Sequence, residues 1–159
     1  MLTSVDKLVI ADEMIETAIK LYLDNKCYAA ALNLAGVAEE IYGKYVRVLG
    51  KEDVLSSTVV AANSLAIIHG SSGLPIKDWK KIARTAKNGI KHLESIGDRI
   101  IEIDLEDEAR AMIGEALTNH GILERDMSAT LKRFYDFGRD WSVRQTCQAC
   151  SNCPLYTEY

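Results

Sequence analysis

The run Lys87-Asn88-Gly89-Ile90-Lys91-His92 brings an imidazole, a carboxamide and two ammonium groups close together along the chain. A histidine titrates near neutral pH, and adjacent lysines favour its neutral form. His92 could therefore act as general acid or base. Asn88, Lys87 or Lys91 would stabilise a phosphorane-like charge. The competing reading is an exposed histidine near a helix end. Just upstream, Lys77, Lys80, Lys81 and Arg84 form a basic stripe in an acidic chain. Such a stripe suits contact with an anion or RNA backbone. It equally suits a solvated helix face paired with acidic neighbours.

A second cluster is Cys147-x-x-Cys150-x-x-Cys153-Pro154. Two-residue gaps let neighbouring thiolates turn toward one metal ion, which makes zinc a candidate. The spacing also resembles a ferredoxin run for an iron–sulfur cluster, but no fourth cysteine follows Cys153. Closing such a site would need Cys27, a histidine or a second chain. Free or redox-active thiols are the alternative, including a reversible disulfide within the tail.

The remaining polar candidates read as structural. His69 falls on the apolar stripe of its helix and His120 near that of a later one, so both are expected to be half-buried with a hydrogen-bond partner. Glu40 points away from the apolar face of its helix and is expected in solvent. Glu39 lies at the boundary and can reach a basic partner, an ion pair being the simplest role.

Positioning these groups requires helices. Val5, Leu8, Ile15, Ala18, Ile19 and Tyr22 recur at helical spacing over 5–24. Cys27, Ala30, Ala31, Leu34, Ala38, Ile41, Tyr45 and Leu49 do so over 26–49, with Gly50 as a C-terminal cap. Leu55, Val59, Ala62, Leu65 and Ala66 predict a third helix over 52–69. The loop Gly70-Ser71-Ser72-Gly73-Leu74 follows, and Pro75 fits the first turn of a fourth helix over 75–96. On that helix Trp79, Ile82, Ala83, Ala86, Ile90 and Leu93 share the side expected to face inward. Lys77, Lys80, Lys81, Arg84, Asn88 and Lys91 share the wet side, with His92 at its edge. Residues 98–103 read as a connection. Asp104 caps a helix over 105–120, and Asp126 or Ser128 caps one over 128–142.

These elements predict an all-α fold, an antiparallel bundle of about five to six helices spanning 1–143, with a Cys-rich tail over 144–159. The 159 residues suit that size, and two prolines leave long helices uninterrupted. A net charge of −4 argues against wholesale coating of nucleic acid or of an anionic membrane. No 18-residue apolar run and no signal-peptide pattern occur, so a cytoplasmic protein with no membrane partner is expected. Ala29, Ala30, Ala31, Ala35, Gly36 and Gly43 allow close helix contacts, within the bundle or across a dimer.

The segment AAALNLAGVAEEIYG (Ala29 to Gly43), with the later basic-Asn-x-x-Lys-His run, resembles small bacterial helical proteins of the HEPN class over roughly residues 5–140. HEPN domains are helical bundles that usually dimerise, and many are metal-independent ribonucleases of toxin or defence type. Their signature is an arginine followed after four to six residues by a histidine, assembled across a dimer interface. The resemblance implies that His92 is the family histidine and Asn88 the polar neighbour, with Lys87 at the arginine's position. Lysine is a point charge that cannot fork onto a phosphate. Arg84 lies too far upstream to fit. Three functions follow as expectations: a homodimeric interaction module contacting RNA, a nucleotide or a protein partner; a metal-independent endoribonuclease using His92; or a metal- or redox-responsive protein acting through Cys147, Cys150 and Cys153.

Overall fold

The computed structural model describes residues 3–93 and 95–148. All secondary structure among them is helical. Seven α-helices follow in order among these residues: α1 (Lys7–Lys20), α2 (Tyr28–Val48), α3 (Val54–Ile68), α4 (Ile76–Ala83), α5 (Thr85–Gly89), α6 (Leu105–Ile122) and α7 (Ala129–Gln148). Residues Met1–Arg125 form one compact unit and Asp126–Tyr159, carrying α7, another. The helix expected over 128–142 continues to Gln148.

Caps set the boundaries. Asp6, Asp53 and Asp104 each accept a backbone N–H of the first turn of α1, α3 and α6. Ser128 Oγ accepts from Leu131 N at the start of α7. At the C-terminus of α2, Gly50 takes φ +73°. Its N–H reaches Arg47 O, and the Lys51 N–H reaches Val46 O. Gly70 repeats this geometry after α3 and Glu124 after α6. One π-helical turn over Leu21–Asn25 prolongs α1 and ends at Lys26 in the left-handed region.

α2 packs on both α1 and α6. It therefore buries two sides, and its core row is Leu32, Ala35, Glu39, Tyr42 and Val46. The row expected from the sequence is displaced: Ala30, Tyr45 and Leu49 are exposed. Of the small residues, Ala31, Ala35, Gly36 and Gly43 are buried, whereas Ala29 and Ala30 are not. Ile15, Ile19, Tyr22, Ile113 and Leu117 complete the core.

The helix expected over 75–96 is broken. Arg84 adopts φ −102°, ψ 2°, separating α4 from α5, and a 3-10 turn over Ile96–Arg99 precedes an extended link to α6. Pro75 stands at the N-cap of α4, one position before the expected first turn. α3 packs chiefly on α4. Asn63 holds that pair together: its Oδ1 accepts from Trp79 Nε1 and from Leu74 N, both at 2.9 Å. Gly73, at φ +71°, passes so close that a Cβ would lie 2.8 Å from the same oxygen.

Candidate functional site

The basic residues of the α4–α5 segment do not share one wet face. Lys80, Arg84 and Lys87 recur at i, i+4 and i+7, and this row turns toward α2 and α3. Lys80 Nζ donates to Ser56 Oγ at 3.2 Å. Arg84 is half-buried, and its Nε has no acceptor. Lys87, 3% exposed, runs through the gap left by Gly36, where a Cβ would stand 2.8 Å from Lys87 Cδ. Its ammonium donates to Gly36 O at 2.9 Å, Glu40 Oε2 at 3.3 Å and Glu39 Oε2 at 3.4 Å. Three donors thus meet three acceptors.

The opposite side of the segment is not the inward one. Ile82 and Leu93 are exposed, and Trp79, Ala86 and Ile90 are only half-covered. The orientation follows the buried charge on α2, although Ile82 and Leu93 are left in water. Leaving a buried carboxylate without its cation costs about 3–5 kcal/mol. Glu39 is buried on α2, so the lysine goes inward and the apolar row is left uncovered.

The charges around Lys87 shape one another. The Lys87 charge and hydrogen bond hold Glu40 below the usual carboxylate range. Partial desolvation, with the Lys87 charge beside it, lowers Lys91. Burial pushes Glu115, on α6, up to about 7, and the Glu39 charge adds to this. Asn119, one turn beyond Glu115, is fully buried. Its Oδ1 accepts from Val54 N at 3.0 Å, while its Nδ2 has no acceptor. That nitrogen, Asp53 Oδ2 and Glu39 Oε1 all lie within 3.4 Å of the point where Gly43 would carry a Cβ. Gly43 thus lets polar groups of α2 and α6 meet in the interior.

A separate clasp joins α1, α2 and the end of α6. Tyr42 OH donates to Asp12 Oδ1 at 2.6 Å, and Arg125 reaches both carboxylate oxygens of Asp12. Burial raises the Asp12 pKa, but the hydrogen bonds from Arg125 and Tyr42 together bring it below its ordinary value.

The expected site residues are therefore divided. Lys87 is enclosed in the bundle, whereas Asn88, Lys91 and His92 are exposed at the end of α5 and in the turn after it. Lys77 and Lys81 are exposed on α4. Glu39 finds the basic partner expected of it, and Glu40, though mostly exposed, shares that partner. His69 is exposed at the C-cap of α3 rather than half-buried. His120 is buried, its ring 5.6 Å from that of Tyr42. The thiols of Cys147, Cys150 and Cys153 lie outside the described residues, and Cys27 is exposed. No group of three or more candidate metal ligands occurs among the described residues. None of their helices is long and apolar enough to cross a membrane.

Sequence reasoning missed Glu115, Asn119 and Asp53. A signal existed: Glu108, Glu115 and Asn119 recur at i, i+7 and i+11, a polar row beside the apolar stripe of α6. Two open grooves flank these groups. One, of about 690 Å3, lies between the start of α1 and α2 and includes Glu40, Lys44 and Tyr45. The other, of about 430 Å3, lies between α4–α5 and the start of α6.

No family model, curated protein or solved structure matches the chain.

Proposed function

We propose that this chain is a HEPN-like antiparallel helical bundle that works as a homodimeric interaction module, with the Asn88–His92 turn contacting RNA or a nucleotide near the pairing face. The reading is carried by one observation. The apolar helix α3 buries only Leu55 and Val59, while Leu65 is 57% exposed and Ile68 75%. Beyond the His92 turn the same holds for Leu93, at 69%, and Ile96, at 94%. Apolar side chains exposed in such number mark an interaction surface. A second copy is the occupant that the resemblance implies. Sedimentation tests it: the wild type should run at twice the 17.6 kDa chain mass, and Leu65→Asp/Ile68→Asp should run as monomer with unchanged helicity. A wild type that stays monomeric at high concentration removes the module.

A metal-independent ribonuclease is the second reading, favoured by the shared exposure of Asn88, Lys91 and His92. Lys87 would then position the turn, because its ammonium is fully engaged by α2. Labelled RNA incubated with the protein in chelator should be cut, and His92→Ala should lose that activity. Cutting that survives the substitution takes His92 out of the reaction.

A further inference from the structure

α2 carries more apolar surface than its two neighbours cover. It packs on α1 and α6. A further row, Val37, Ile41, Tyr45 and Val48, recurs at i, i+4, i+8 and i+11 and lines the groove of about 690 Å3 at the start of α1. Val37 and Ile41 are half-covered, whereas Tyr45 is 41% exposed and Val48 72%. Val5 and Leu8, at the start of α1, supply the other wall. From Val37 to Val48 the row runs about 16 Å, roughly three helical turns.

The charges that line this groove are unequally engaged. Asp6 caps α1, its Oδ1 accepting from Leu8 N at 2.9 Å. Glu40 is paired with Lys87, and the charges of Arg84 and Lys91 also favour its ionised form. Lys7 and Lys44 line the same groove, are exposed, and make no ion pair among the described residues. The charges still open to a partner are therefore both positive, one on α1 and one on α2.

Shape selects the class of occupant. Small-molecule sites bury roughly 70–90% of their ligand, and a groove open along its length does not. No strand edge stands among the described residues, so an extended chain finds no ladder to join. A helix satisfies its own backbone and needs only a seam for side chains at i, i+3, i+4 and i+7. We propose that the α1–α2 groove receives an acidic amphipathic helix of a partner protein, its apolar stripe seated on Ile41, Tyr45 and Val48 and its flanking carboxylates meeting Lys7 and Lys44. A basic helix would face two lysines while both acids are already engaged. No residue of α3 lines this groove, so the site does not rest on the homodimer reading above.

The probe is a fluorescein-labelled synthetic helix with a leucine stripe flanked by glutamates, read by anisotropy against full-length protein. A control peptide carries lysines in place of the glutamates. The acidic peptide should bind about tenfold tighter than the basic one, or more. Lys7→Glu/Lys44→Glu should reverse that order, a gain for the basic peptide that misfolding cannot produce. Val48→Asp should weaken the acidic peptide, and Leu65→Asp/Ile68→Asp on α3 should leave its binding unchanged. Absence of binding by the acidic peptide overturns the site, as does an order of affinity that survives reversal of both lysines. Binding lost with the α3 variant would place the peptide on the pairing face instead. An acidic peptide that splits a wild-type dimer would give the groove to a second copy. Dodecanoate that binds through the two lysines where the acidic peptide does not would give it to a small amphiphilic anion. Sedimentation of the wild type alone decides the homodimer reading separately.

Discussion

Lys87 shows how one side chain takes a role its sequence position does not announce. It sits where the resemblance puts a phosphate-binding arginine, yet its ammonium ends among Gly36 O, Glu39 and Glu40. Truncation would leave the Glu39 carboxylate buried without a cation. Lys87→Ala should therefore destabilise the bundle by about 3–5 kcal/mol in urea. Adding Glu39→Gln should recover part of the loss, since the orphaned charge is then gone. Equal stability of wild type and Lys87→Ala would mean that the ion pair contributes nothing. The partnership of Glu39 was legible from its boundary position on α2. The identity of the partner was not, because Lys87 is 48 residues away in sequence and reaches Glu39 only through the gap at Gly36.

Among the elements, the α3–α4 pair depends least on core packing. α3 buries Leu55 and Val59, and α4 buries no residue fully. Asn63 fastens them instead, accepting from the Trp79 indole and from Leu74 N. Asn63→Ala leaves both donors without that oxygen, and two hydrogen bonds of ordinary strength put the loss at about 1–3 kcal/mol. The change should also shift the Trp79 emission to the red in native buffer. An unchanged spectrum would show that the indole is held by other contacts. The start of α6 was legible, because Asp104 sits where a side-chain oxygen can take a first-turn N–H, whereas Asp6 and Asp53 cap α1 and α3 at positions the apolar spacing places inside the helices. The break at Arg84 was not: periodicity runs unbroken from Pro75 to Leu93, and no proline or glycine marks residue 84.

On the scale of the molecule, two half-buried carboxyls set opposing pH dependences. Glu115 binds its proton more tightly folded, at about 7, than unfolded, where 4.5 is ordinary. Its contribution is complete below 4.5 and is lost as pH rises through 7. Asp12 acts in the opposite sense: its folded pKa lies below 3.8, so its contribution is present above that value and is lost as pH falls through the folded one. Stability should accordingly be greatest on the acid side of neutrality. Urea midpoints should fall between pH 5 and pH 8, and Glu115→Gln should flatten that fall while leaving the acid limb in place. A midpoint that rises over this interval would contradict the assignment. The uncovered apolar face of α3 belongs to this scale too, since it is where the proposed second copy would sit.

The sequence alone determined that the chain is helical, roughly where every helix but α5 begins, and which residues carry titratable chemistry. Those properties follow from local spacing and from caps within a turn or two. Tertiary structure decided which way the α4–α5 segment faces. Periodicity reports that a helix has two sides without saying which one has a charged neighbour. Glu39 from α2 meets that segment in the interior, and a buried carboxylate left without its cation is costly, so Lys87 turns inward while Ile82 stays exposed. The same balance takes Lys87 away from His92 and leaves Lys77 and Lys81 on the outside.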